Sequence, residues 1–273
     1  MITVVTDSSV YMKKAEAEAL GVRVIPLTYT VNGMPYNESY SDENGDYEIL
    51  LKKQGKFTTS QPSMASYLSC FEEELSKGRE ILCITLSSRL SGAYSTAYQA
   101  ARQTKSGSVS VFDSYLTAGG LYLMIKEAAR LIANGAEIAD LMRTLPSVRD
   151  RIRITFYVDD MAPLRASGRA DFVRMGVGTI LNIKPILICK DGAVAYESSA
   201  RGSTDLMKKL IRKVPDNLAE AVINYIGENR VATTLYNVIK SDHPNVEINL
   251  QKLGPVLGIH LGLKVMAVSI MSA

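Results

Sequence analysis

The 273-residue chain has few of the residues that carry metal, disulfide or hydrolytic chemistry. Its three cysteines, Cys70, Cys83 and Cys189, are odd in number and far apart, which excludes a disulfide framework and CxxC metal binding. Each sits among apolar residues and reads as a small buried hydrophobe in a reducing compartment. Its two histidines, His243 and His260, fall in no HExxH-like spacing, so a zinc site lacks a ligand set. GxGxxG, GxxxxGKS/T and GxSxG are all absent, which removes the usual nucleotide loops and the nucleophile elbow. A formal net charge of +3, with no basic cluster beyond scattered arginines between Arg149 and Arg174, excludes a nucleic-acid footprint. No window approaches the roughly 18 unbroken apolar residues of a membrane span. The start, Met1 to Asp7, lacks a basic region and a long apolar core, so it reads as a first strand and not as a secretory signal. The expectation is a cytoplasmic protein with no cofactor.

What the chain does have is 47% hydrophobic residues, enough for a sizeable core, and a length that accommodates two domains, read here as 1–149 and 150–273. The first half alternates strand and helix. Ile2 to Val5, Val22 to Leu27, Ile81 to Leu86 and Val109 to Phe112 are short apolar runs. Helical segments between and after them cover Tyr11 to Leu20, Tyr47 to Lys53, Ser63 to Lys77, the stretch after Ser91-Gly92, a long helix through Leu131, and Gly135 to Pro146. This order predicts an open, mainly parallel sheet, interrupted by a small β-excursion where Asn32-Gly33 signals a hairpin.

In such sheets the strand-to-helix loops share the carboxyl edge, where ligands bind. Asp7-Ser8-Ser9, Thr59-Ser60, Ser87 to Gly92 and Asp113-Ser114 would then lie on one rim, with Thr59 and Ser60 at a helix N-terminus ahead of Pro62. Two readings of Ser91 stand at this point. It caps the helix that follows, or it helps hold a carboxylate or phosphate against the unpaired N–H groups there.

After a boundary around Leu145 to Arg151 the pattern changes. Ile152 to Val158 reads as a strand, Met161 to Gly168 as a short helix, and Ile183 to Cys189 with Ala193 to Ser198 as an antiparallel hairpin about Asp191-Gly192. Helices at Thr204 to Lys213 and Val231 to Ile239, and strands at Ala219 to Ile226 and Val246 to Leu250, complete an α+β half with an apolar tail, whose last segment, Lys264 to Met271, is β-like. His260 stands in that tail between Gly258 and Gly262. It is either a core histidine bonded to a carbonyl or a ligand contact.

Five motifs carry a resemblance. Thr6-Asp7-Ser8-Ser9, Thr59-Ser60-Gln61-Pro62, Leu90-Ser91-Gly92-Ala93-Tyr94, Asn182-Ile183-Lys184-Pro185-Ile186-Leu187 and Gly254 to His260 are similar to those of the DegV family, in the family's order and across nearly the whole chain. The resemblance implies a two-lobed α/β fold, with a mainly parallel open sheet in the first domain and a mixed, antiparallel α+β second domain closing over the ligand. It implies a long-chain fatty acid held between the lobes, its carboxylate bound by Thr59, Ser91 with Gly92, and His260. It further implies a non-catalytic role as the binding subunit of a bacterial fatty-acid kinase in phospholipid metabolism, a separate ATP-dependent protein phosphorylating the carboxylate, with transient membrane contact and no span. Arg169 and Arg201 resemble positions facing that kinase, although arginines near turns are commonly just solvated. Two places depart from the family pattern: Leu261-Gly262-Leu263-Lys264 stands where Thr-Gly-Pro-Gly is usual, and Ser167-Gly168-Arg169 where Gly-Gly-Arg is usual.

Other classes remain open on the residues themselves. A hydrolase would use Ser91 as nucleophile, His260 as base and Asp7 or Asp113 behind it. A carrier or sensor of another small amphiphile would share the site without a kinase.

Overall fold

The computed structural model describes residues 1–53, 55–104, 107–170, 183–227 and 230–273; Arg174 and Asn182, named above, lie outside them. Strand β1 (Ile2–Asp7) leads through a 3-10 turn to helix α1 (Lys14–Ala19) and parallel strand β2 (Val22–Ile25). Strands β3 (Leu27–Val31) and β4 (Met34–Glu38) then form the expected hairpin. Asn32 and Gly33 both take positive φ, 52° and 83°, the twist that a two-residue hairpin requires. Helix α2 (Tyr47–Leu51), strand β5 (Phe57–Ser60), helix α3 (Met64–Ser76), strand β6 (Glu80–Thr85), helix α4 (Ala93–Gln103) and strand β7 (Val109–Asp113) follow. Four strands make a wholly parallel sheet in the order β2-β1-β6-β7, beside a small antiparallel sheet β4-β3-β5. Val4 and Val5 point to opposite faces and both are fully buried, so the parallel sheet is covered on both sides.

Two long helices, α5 (Ala118–Ala133) and α6 (Ile138–Arg151), lead into the second half. There strand β8 (Ile152–Val158), helix α7 (Ala162–Ala166), strands β9 (Ile183–Lys190) and β10 (Ala193–Arg201), helix α8 (Gly202–Ile211), strand β11 (Leu218–Ile226), helix α9 (Arg230–Asp242), strand β12 (Glu247–Lys252), helix α10 (Pro255–Leu261) and strand β13 (Val265–Ser272) complete the chain. The six strands pair as β10-β9-β8-β13-β11-β12, antiparallel except for β11 with β12. Helices α8 and α9 cover one face of this sheet. Helix α5 covers the other and also touches β1, so one helix is packed between the two large sheets. The α/β architecture, parallel in the first half and mixed in the second, is the one expected.

Two local expectations change, and one further segment turns out to be helical. Thr59 and Ser60 are not at a helix N-terminus: they end β5, paired antiparallel with β3, while α3 starts at Met64 with Ser63 as its cap. Aromatic Phe57 and β-branched Thr58 and Thr59, with burial alternating along them, suit an edge strand, and Thr58 hydrogen-bonds to Thr30 of β3 at 2.7 Å. The helix expected to end at Pro146 continues through it to Arg151 as α6, held by buried Leu141, Leu145 and Val148. The glycine-rich tail around His260 is a seven-residue helix, entered at Pro255, where proline's missing N–H costs nothing, and left at Gly262. Among the described residues no helix is long and apolar enough to cross a membrane.

Candidate functional site

The loop after β6 is built around two side chains from neighbouring strand ends. The Leu86 N–H donates to Asp7 Oδ2 at 2.7 Å, and the Ser88 N–H to Asp113 Oδ1 at 3.1 Å. Both N–H groups of Leu90 and Ser91 then donate to the Ser87 carbonyl, at 3.0 and 3.1 Å, which turns the chain and delivers Ser91 to the start of α4. Ser91 Oγ accepts from the Ala93 N–H at 3.3 Å, so the capping reading of Ser91 holds in part; the N-cap residue is Gly92. A Cβ on Gly92 would stand 2.8 Å from Gln61 Nε2, so glycine lets the Gln61 side chain lie against this helix end.

Thr59 Oγ1 lies 2.8 Å from Nε2 of His260. This contact joins β5 to α10 and brings together residues 201 positions apart. Thr59, Ser91, His260 and Arg169 line a single cavity of about 110 Å³, with Ser60 and Gln61 beside them. The rest of its lining is mostly apolar, shared between the six-stranded sheet, with Ile154 and Phe156 of β8, Val265 and Ala267 of β13 and Val194 of β10, and helix α10, with Val256, Leu257 and Leu261. One patch of the lining is therefore polar and the rest mostly oily. Arg201 is elsewhere; it is exposed, and its N–H donates to Asp205 at the start of α8.

The polar patch favours an anion without containing a paired one. Burial and the neighbouring Arg169 guanidinium lower the His260 imidazole to about 4, so it is neutral at pH 7. Nδ1 of His260 is buried with no hydrogen-bond partner among the described residues. With its proton on Nε2, the imidazole donates to Thr59 and leaves the threonine O–H to donate into the cavity. The hydrolase geometry does not form. His260 bonds to Thr59 and not to Ser91, Asp7 is taken by Ser9 and Leu86, and Asp113 by Ser88 and Tyr115.

Sequence reasoning missed two groups here. Thr117 lines the cavity with a buried Oγ1 that has no hydrogen-bond partner among the described residues. Glu38, at the end of β4, is fully buried. Its Oε1 accepts from Ser8 Oγ at 3.1 Å, and its Oε2 from the Tyr11 hydroxyl at 3.4 Å and the Val256 N–H at 2.8 Å. Burial, with the nearby Asp7, pushes this carboxyl up to about 8. No pattern in Met34 to Asn37, all exposed, signals that the next residue is buried.

A family model described as "Uncharacterised protein, DegV family" matches residues 1–273. A DegV domain-containing protein of Halalkalibacterium halodurans is 31% identical, over 96% of this chain and 95% of its own. Among solved structures, a DegV family protein from Thermus thermophilus, described by its fatty acid binding, superposes with a TM-score of 0.89 at 27% identity, covering 100% of this chain and 99% of that one. DegV of Bacillus subtilis, described as a fatty acid binding protein, gives a TM-score of 0.87 at 27% identity, covering 100% and 99%. A cavity walled by both halves of the chain, on a fold shared from end to end with these proteins, accompanies a family match over every residue: the chain belongs to the DegV family.

Proposed function

We propose that this protein binds a long-chain fatty acid in the cavity between its two lobes, 1–149 and 150–273, and is itself no enzyme. The observation that carries the reading is the Thr59–His260 hydrogen bond at the polar patch of an otherwise apolar cavity that Ser91 also lines. The carboxylate accepts from the Thr59 and Ser91 hydroxyls and meets the N–H groups at the start of α4 beyond Gly92, while Arg169 supplies positive charge at the rim. Relatives of similar sequence that are described as fatty-acid-binding support the choice of ligand.

Magnitudes divide the work. About 14 buried methylenes at roughly 0.8 kcal/mol each contribute on the order of 11 kcal/mol before ordering costs, against roughly 1.5 to 3 for a charge-assisted hydrogen bond. The tail gives affinity; the head group gives direction. A carboxylate held at a fixed place is also in position for phosphorylation, and we assign that step to a separate ATP-dependent kinase, with Arg169 and Arg201 as docking positions. Loading would occur by brief contact with a membrane surface in the cytoplasm.

Organic extraction of purified protein followed by mass spectrometry should release a long-chain acid. The double variant Thr59→Ala/Ser91→Ala should keep its fold by circular dichroism and bind palmitate at least tenfold more weakly; retention at the native level would sink the head-group assignment.

A further inference from the structure

The cavity's histidine stands on a helix too short to hold its own place. Seven residues make two turns, below the length at which a helix is stable without tertiary support. Its first-turn N–H groups also need acceptors, and its N-cap residue is Gly254, which has no side chain to supply one.

We propose that Glu38 is a positioning residue for the fatty-acid head group: its buried carboxyl replaces the missing cap of α10 and so fixes where His260 stands. The carboxyl reaches α10 from a strand 218 positions earlier in the chain, accepting the Val256 N–H at 2.8 Å. Ser8 and Tyr11 hold it from behind. Ser8 Oγ in turn accepts the Leu27 N–H at 3.0 Å, which ties the same cluster to β3 of the sheet that carries Thr59. One buried acid thus joins the two partners of the Thr59–His260 bond, one through β3 and the other through α10.

The fit on the helix side is close. A Cβ on Gly254 would lie 2.4 Å from Glu38 Oε2 and 2.7 Å from the Tyr11 ring. The glycine that fails to cap the helix is thus what admits the glutamate that does. The titratable groups facing Glu38 are Asp7 from β1, Tyr11, Tyr29 from β3 and Tyr47 from α2, and among the described residues no Lys or Arg pairs with it. Its role is therefore hydrogen-bonding geometry and not charge pairing.

The inference rests on the fatty-acid reading for its purpose, but its test does not need the ligand. The chain has only two histidines, so the His260 ring signals in a heteronuclear NMR spectrum are assigned by comparison with a His243→Asn variant. In unliganded protein, Glu38→Met and Gly254→Ala, which disturb the contact from opposite sides, should both move the His260 ring signals. Glu38→Gln, which keeps an acceptor and the shape, should restore them. Palmitate affinity should fall at least tenfold in the first two and return to within about threefold of the native value in the third.

Unmoved His260 signals in both Glu38→Met and Gly254→Ala would overturn the proposal, as would a Glu38→Gln spectrum displaced as far as that of Glu38→Met. If Glu38→Met does not fold, Gly254→Ala decides with the same readout. Native protein that takes up no fatty acid overturns the ligand reading alone, because the ring signals still report whether Glu38 places His260.

Discussion

His260 beside an arginine and Glu38 under a helix both fold in their uncharged forms, so they impose opposite slopes on stability against pH. His260 has a folded value of about 4 against an ordinary 6.5. The unfolded chain therefore binds its proton more tightly, and stability is complete above about 6.5 and lost as pH falls toward 4. Glu38 has a folded value of about 8 against an ordinary 4.5. Here the folded chain binds the proton more tightly, and stability is lost as pH rises from about 4.5 to 8. The two oppose each other between about 4.5 and 6.5; above that, Glu38 acts alone. Urea denaturation should therefore show the native protein losing on the order of 2 kcal/mol between pH 6.5 and 8, at about 1.4 kcal/mol per pH unit per proton, with most of that slope gone in Glu38→Gln. An equal slope in both proteins would mean that another group titrates. The proposed carboxylate beside His260 would work the other way on the imidazole, raising it.

Helix α10 shows how much an element can depend on its surroundings. Its amino end is held by Glu38. Just before it, the Tyr47 hydroxyl donates to the Leu253 carbonyl, and Lys252 pairs with Glu48 of α2 at 2.7 Å. Tyr47 is buried, so Tyr47→Phe leaves a carbonyl without its donor and should cost about 1 to 3 kcal/mol in denaturant unfolding, with weaker palmitate binding because α10 loosens. An unchanged midpoint would show that α10 does not lean on α2. The same dependence explains what could be read from the chain. Strands β1, β6 and β8 and the two Asx-Gly hairpins were legible because period and turn chemistry are local properties. The α10 helix was not, since seven residues that include Gly258 show too little of a 3.6-residue period. Strand β5 has only four residues, and its pairing with β3 lies far off in sequence. Glu38 was invisible for a related reason: its burial is decided by a helix near the other end of the chain. Thr59, Ser91 and His260 came to one site through resemblance and not through periodicity, and the cavity they line was readable in no single segment.

At the scale of the whole molecule, the cavity is a feature of the assembled fold and not of either half. Its walls combine α10, β5 and the Ser91 loop with β8, β10 and β13. The tip of the β9–β10 hairpin is pinned to the first half where Ser87 Oγ donates to the Gly192 carbonyl at 2.6 Å and Cys189 Sγ to the Tyr115 carbonyl at 3.4 Å. Ser87 is also the residue whose carbonyl turns the chain into Ser91, so this contact couples the β9–β10 hairpin to the loop that carries Ser91. A ligand that fills the space between the lobes must then stabilise the whole fold. At a free concentration 100 times its Kd, palmitate should add about 2.7 kcal/mol, which for a chain of this size raises Tm by roughly 5 to 10 °C. Shortening the acid tests which part of the cavity does this. Each methylene removed should cost roughly 0.8 kcal/mol of binding, so octanoate at the same total concentration should leave Tm close to that of the free protein. Ser87→Ala should lower Tm without ligand and weaken palmitate binding, because the hairpin carrying Val194 is no longer tied to the loop carrying Ser91. A Tm that rises equally with octanoate and palmitate would place the binding energy in the head group and overturn the tail-dominated account.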